Sequence, residues 1–168
     1  MATPEILKNF NVFVDGLGYA GKVTEVVPPK LTVITDEHKA GGMDAGIDID
    51  MGMEKLLWEF TTAEMSASIL KQFGIIKGAN IPLTLRGAVQ GDAGVVVPIV
   101  INSRVMIVEV DKGTWKAGEK SQMKVSLSSR AYKETHAGEV LIDIDVDNMT
   151  RVINGVDQLA DQRAAIGL

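Results

Sequence analysis

Between Ile47 and Glu54 apolar and polar residues alternate without a break. Ile47, Ile49, Met51 and Met53 fall on one side of an extended chain, and Asp48, Asp50, Gly52 and Glu54 on the other. A period of two fits a pleated strand and not the 3.6-residue repeat of a helix. The strand runs on toward Trp58 and Phe60. The same alternation returns at Met123–Tyr132 and at Val140–Val146. Further β-prone runs occupy Asn11–Val14, Lys22–Val27 (stopped by Pro28-Pro29), Lys30–Thr35, Ile81–Gln90 and Val95–Asp111. Pro98 marks an edge or a bulge in the last of these, and Gly91-Asp92-Ala93-Gly94 makes the turn before it.

One internal helix stands against this background. Thr61-Thr62-Ala63-Glu64 fits a capping box, Met65, Ile69 and Phe73 recur at four-residue spacing beside Leu70, and Gly74 stands where a glycine ends a helix. A short second helix is expected over Val156–Ala165, after Asn154-Gly155. With 168 residues, 46% hydrophobic and 23% charged, the chain has the composition of one globular domain spanning 1–168. The expected class is mainly β: an antiparallel barrel or sandwich with one flanking helix at about 61–74, a short C-terminal helix and an extended loop at about 36–47.

Several patterns imitate chemistry. Gly16-Leu-Gly18-Tyr-Ala-Gly21 is a GxGxxG string, but a dinucleotide site needs a helix to begin there, and the β-prone, proline-broken Lys22–Pro29 follows; a glycine-rich hairpin turn is expected. Asp143-Ile-Asp145-Val-Asp147-Asn148 resembles the start of a calcium loop, yet Asn148 stands where glycine is needed and Asn154 where glutamate is needed. His38 and His136 lie in no metal-ligand spacing. Catalytic, cofactor and metal residues are therefore expected to be none. No cysteine is present, and the net charge of −5 lacks the basic excess of a protein that grips phosphates. No run is apolar for long enough to cross a membrane as a helix, and Met1–Asn11 lacks the pattern of a signal peptide.

The Lys39–Gly46 loop combines three glycines, an adaptable methionine and an acid between two strands. Such an arm can dock on a neighbouring subunit. With only 5% aromatics for a closed core, the strands at 31–35, 47–60 and 81–90 leave edges that other copies could cover.

Five strings occur in order along the whole chain: Asn11-Val-Phe-Val-Asp-Gly16, Ala40-Gly-Gly-Met-Asp44, Ile49-Asp-Met-Gly52, Trp115-Lys-Ala-Gly-Glu119 and Ile153-Asn-Gly-Val-Asp-Gln-Leu-Ala160. With them the chain resembles the major tail tube proteins of contractile-tailed phages and R-type pyocins. It departs from that pattern at Thr114, where an Asp often precedes the Trp, and at Gly46, where a Pro is common. The resemblance implies a fold like the type VI secretion tube protein and hexameric rings stacked helically into a tube inside a contractile sheath. Contraction would drive that tube through the target envelope, and the tube would conduct DNA in a phage or ions in a pyocin. It implies no enzyme activity and no cofactor. It also implies partners: other copies of the chain, the sheath, baseplate and tail terminator proteins, the tape measure protein during assembly, and DNA only in transit. The particle would be assembled in the bacterial cytoplasm and released by lysis. Lys39, Ala40, Gly41, Gly42, Met43 and Asp44 are expected at a subunit interface, and Asp48, Asp50, Glu54 and Arg86 facing the lumen. A type VI secretion-like tube protein and a small β-barrel ligand-binding module remain the alternatives.

Overall fold

The computed structural model describes residues 4–74, 80–92 and 94–168. The strands are β1 (Ile6–Val14), β2 (Leu17–Gly18), β3 (Val23–Val27), β4 (Val33–His38), β5 (Ile47–Met53), β6 (Leu56–Thr62), β7 (Ile81–Gln90), β8 (Val96–Asp111), β9 (Met123–His136), β10 (Glu139–Asp145), β11 (Thr150–Ile153) and β12 (Val156–Asp157). Two short helices, α1 (Ala67–Leu70) and α2 (Ala160–Ala165), complete the chain. All pairings are antiparallel, as expected for a mainly β fold.

Ten strands form one sheet around β9. One side of β9 pairs with β8. The other side is shared, with β6 along Met123–Ser129 and β10 along Ala131–His136. Register shifts between Arg104 and Val105 and between Ile107 and Glu109 bend the long β8–β9 ladder, because a bulge strengthens local twist. The sheet continues through β7 to β1, while β3 flanks β6. The Tyr19 amide donates to Val12 O, Val23 to Tyr19 O and Ala63 to Lys22 O, so the turn after β2 links β1 back toward β3 and β6. The sheet thereby curls around an interior.

Alternation decides what fills that interior. Leu56, Trp58 and Phe60 of β6, Met123, Val125 and Leu127 of β9, Val105 and Ile107 of β8, Leu83 and Leu85 of β7, and Val12 and Val14 of β1 point inward and are buried. Each such side chain contributes roughly 1.5–3 kcal/mol by leaving water. The Trp58 indole N–H donates to Ser129 Oγ at 3.0 Å, so the largest core residue leaves no donor unmet. The outward face carries ion pairs, Lys133–Asp143 at 3.0 Å between the adjacent β9 and β10, and Arg104–Asp145 at 2.7 Å from β8 across β9 to β10.

The helix expected over 61–74 is much shorter. Thr61 and Thr62 extend β6, pairing with Glu25 and Val23 on one side and Lys124 and Met123 on the other. Thr62 Oγ1 donates to Glu64 O at 2.7 Å instead of capping a helix, and Glu64 meets Lys22 at 2.7 Å. Two ladders of tertiary hydrogen bonds outweigh a local capping preference. Only Ala67–Leu70 is helical, after Ser66, which makes no side-chain cap. Ile69 plugs the core. At the other end, Val156 and Asp157 pair with β11, so that helix begins at Ala160 and not at Val156.

Three smaller expectations resolve here too. The strand from Ile47 breaks at 54–55 into β5 and β6. The turn before β8 is closed by the Gly94 amide on Gly91 O at 3.1 Å, with Ala93 outside the described residues. Pro98 lies one residue beyond the β8–β9 ladder, whose first pair is Ile99 with His136; its carbonyl accepts from Ala137 in the turn after β9, and its missing N–H falls past the last ladder pair.

Candidate assembly surface

β4 and β5 form a two-stranded sheet of their own. They continue the β3–β6 ribbon, but Pro28-Pro29 ends β3 and the ladder resumes only at Val33 opposite Met53. The result is an arm over residues 33–53. Its strands pair only with each other among the described residues.

Register sorts the arm into two faces. Thr35, Glu37, Asp48 and Asp50 lie on one, with Glu37 directly opposite Asp48 and Thr35 opposite Asp50. Ile34, Ile47, Ile49 and Met51 lie on the other, with relative exposures of 44%, 53%, 44% and 62%, interrupted by Asp36 opposite Ile49 and His38 opposite Ile47. Neither face suits an isolated hairpin. Like charges opposed across strands repel, and the aliphatic stripe faces water. The arm carries five carboxylates (Asp36, Glu37, Asp44, Asp48, Asp50) against Lys39 alone, a net charge of −4 out of −5 for the whole chain.

The residues expected at a subunit interface, Lys39, Ala40, Gly41, Gly42, Met43 and Asp44, form the arm's tip. The Met43 amide donates to Ala40 O at 3.2 Å and the Ala40 amide meets Met43 Sδ at 3.3 Å. Gly42 has φ +91°, a conformation that disfavours any side chain. Of the expected lumen residues, Asp48 and Asp50 share the acidic face and Glu54 sits at the arm's root, its amide on Thr32 O at 3.0 Å. Arg86 stands apart from them on β7, exposed between Asn11 and Val100, on strands that do not pair with the arm.

A groove of 750 Å³ opens beneath the arm's root, lined among others by Met51, Met53, Leu56, Ile144, Met149 and Leu159. Across it Arg151 Nη2 reaches Asp50 Oδ2 at 2.8 Å. The Gly52 amide on Oδ1 at 2.7 Å and the Arg151 guanidinium hold the Asp50 carboxyl below the usual carboxylate range. Asp50 and Arg151 are thus engaged with each other across the groove, and Asp145 is turned to Arg104, while Glu54 and Lys55 complete its charged lining. Arg151 lies 101 residues from Asp50, and no sequence signal joins them.

Backbone edges are open as well. β1 pairs with β2 only at Phe13 and Val14, so Ile6–Asn11 have no strand partner on the side away from β7 among the described residues, although the Phe10 amide donates to Asn9 Oδ1 at 2.9 Å. The outer edge of β11 is closed differently. Asp157 Oδ1 accepts the amides of Arg151 and Leu159, and Arg151 O accepts Gln158.

The patterns that imitate chemistry take structural roles. Asp15 (φ 50°) and Gly16 (φ 76°) make the two-residue β1–β2 turn, and no helix follows. Asp143 and Asp145 are strand residues paired with Lys133 and Arg104, and Asp145 also binds the Asn148 amide and side chain. His136 Nε2 and the Tyr132 hydroxyl both bind Glu134, at 2.7 and 2.6 Å, while His38 is exposed on β4. Among the described residues no three His, Cys, Asp or Glu side chains gather as metal ligands.

Comparison with known proteins gives this surface its setting. The family model described as phage tail tube protein FII matches residues 4–167. The chain is 32% identical over 172 residues to the tail tube protein of Escherichia phage P2, covering 100% of both chains. It is 25% identical to the major tail tube protein of Serratia phage KSP20, covering 100% of this chain and 99% of that one. In fold it is similar to a chain in the sheath/tube terminator structure of the PVC extracellular contractile injection system, with TM-score 0.60, 11% identity, and 79% of this chain and 96% of that one covered. A chain in the tube-terminating cap of the anti-feeding prophage is similar too, with TM-score 0.62, 10% identity, and 80% and 93% covered. The chain belongs to the phage tail tube protein FII family, and it is a subunit of a tail tube.

Proposed function

We propose that six copies close into a ring, that rings stack into the inner tube of a contractile tail, and that the arm makes the contact from one copy to the next. The observation that carries this reading is the arm, whose aliphatic face and unpaired edges the subunit cannot cover by itself. At about 3.3 Å per residue, the limb from Val33 to Gly42 reaches roughly 30 Å. Contacts around a ring close by rotation, while contacts between rings repeat without end and make a filament. An obligate interface of this kind buries on the order of 2,000 Å² or more. The tip, Lys39–Asp44, docks on the adjacent copy, and the bare edge of β1 gains hydrogen-bond partners from a neighbour.

In this reading the acidic face of the arm, with Asp48, Asp50 and Glu54, faces the channel together with Arg86. A wall short of cations lets DNA slide without capture, since phosphate binding is driven by cationic contacts. The role is mechanical and not enzymatic. The sheath surrounds the tube, the baseplate and terminator bound its ends, the tape measure protein occupies it during assembly, and the particle forms in the host cytoplasm. Similar folds in sheath–tube, cap and baseplate structures support the sheath, terminator and baseplate among these partners.

The test is deletion of residues 41–44. The subunit should keep its circular dichroism spectrum and melting temperature and form no tubes by electron microscopy. Normal tubes from the deletion would remove the arm from the assembly contact.

A further inference from the structure

The arm leaves the body through two strand connections and, beyond Met53, lies outside the main core. Among the described residues, Asp50 with Arg151 is the one side-chain hydrogen bond or ion pair between residues 33–53 and the rest of the chain. Both partners are held before they meet. Arg151 is fixed by β11, its amide on Asp157 Oδ1 and its carbonyl accepting from Gln158, and its side chain is 15% exposed. Asp50 is oriented by the Gly52 amide, at a residue whose φ of +107° suits glycine. The guanidinium comes from the C-terminal segment, and it fastens a strand that otherwise pairs with nothing but its own hairpin partner. A charge-assisted bond between two pre-oriented groups is stronger than an ordinary surface ion pair.

We propose that the Arg151–Asp50 pair is a latch that fixes the direction of the arm over the groove, and thereby sets the contact a copy offers to its neighbour. Arg151 is then a positioning residue for tube growth, and this role rests on the tube reading above. The latch works by pre-organisation. A free hairpin must lose its range of orientations each time a subunit docks, whereas a latched one has lost it beforehand.

The test compares Arg151→Gln, Asp50→Asn and the exchanged pair Asp50→Arg/Arg151→Asp with the wild-type chain. Two measurements are made: amide hydrogen exchange over residues 33–53 in dispersed subunits, and the rate of tube growth followed by light scattering and electron microscopy. Each single variant should speed exchange in the arm about two- to fivefold, the scale of an ion pair whose carboxylate is half-exposed, leave the core amides of β6 and β9 protected, and slow tube growth. The exchanged pair should restore both in part, since Asp50→Arg regains the charge pairing but forfeits the bond from the Gly52 amide. Unchanged arm exchange in both single variants overturns the latch. Faster arm exchange with wild-type tube growth overturns its positioning role. If the exchanged pair keeps its core protection but restores neither, the pairing is not the cause. A wild-type chain that forms no tubes refutes the tube reading, and arm exchange alone then decides the latch.

Discussion

Replacing Ile47 and Ile49 together by threonine tests whether the aliphatic face of the arm is buried in the assembly. Threonine keeps the β-branched shape that suits a strand, so the hairpin's local preference survives while its apolar surface shrinks. About half of each isoleucine is already covered in the single subunit, 53% and 44% remaining exposed. Full burial of such a side chain contributes about 1.5–3 kcal/mol, so the exposed halves hold about 0.7–1.5 kcal/mol each. The pair therefore removes about 1.5–3 kcal/mol per docking event, and the critical concentration for tube formation should rise roughly tenfold to a hundredfold. The assay is sedimentation of tubes across a dilution series. Subunit stability should shift by no more than about 0.5 kcal/mol, as for other surface positions. An unchanged critical concentration would show that this face stays in water in the tube. A large fall in the melting temperature of dispersed subunits would show that it packs within the subunit. Either result refutes the reasoning.

Trp58→Phe removes the indole donor and leaves the buried Ser129 hydroxyl without its partner, at a cost of about 1–3 kcal/mol; thermal denaturation should show the midpoint roughly 2–12 °C lower. The Leu159 amide first, against the opposing effect of burial, and then Arg163 and the Arg151 amide hold the Asp157 carboxyl below its ordinary range. Its stabilisation is complete above the usual aspartate value of about 3.9 and disappears as pH falls through the depressed value. Amides of β12 and α2 should accordingly stay protected at neutral pH and loosen only in acid, and Asp157→Asn should abolish that pH dependence; the same acid response in the variant would assign it elsewhere. Glu54→Lys should slow passage of DNA through an assembled tube without harming assembly, and unchanged delivery would place Glu54 away from the channel.

Period-two alternation located the body of the fold because burial on one face leaves a periodic trace. Ile81–Gln90 was bounded to the residue, β8, β9 and β10 to within a few, and β5 at its start but not at its end, since the alternation ran on into β6. Where pattern was short, it was silent: β2 and β12 have two residues each and β11 four. The 61–74 segment misled for a definite reason. Its capping residues also fit a strand, and ladders to Val23–Glu25 and Met123–Lys124, distant in sequence, decided between the two. The loop at Lys39–Gly46 was visible because its glycines interrupt two β-prone runs. The alternation of Ile47, Ile49 and Met51 was visible too, but not that this whole strand stands away from the core. Arg151 left no trace, since a contact across 101 residues between two chemically ordinary side chains has no local signature.

The concentration of charge on the arm also bears on how copies first meet. Subunits that approach arm to arm in dilute buffer encounter repulsion before any side chains touch, and counterions decide how far it extends. The screening distance is about 10 Å at 0.1 M ionic strength and about 3 Å at 1 M. Added salt therefore lowers the barrier to nucleation while leaving aliphatic burial intact, so that the lag before the first ring, more than the final length of the tube, responds to ionic strength.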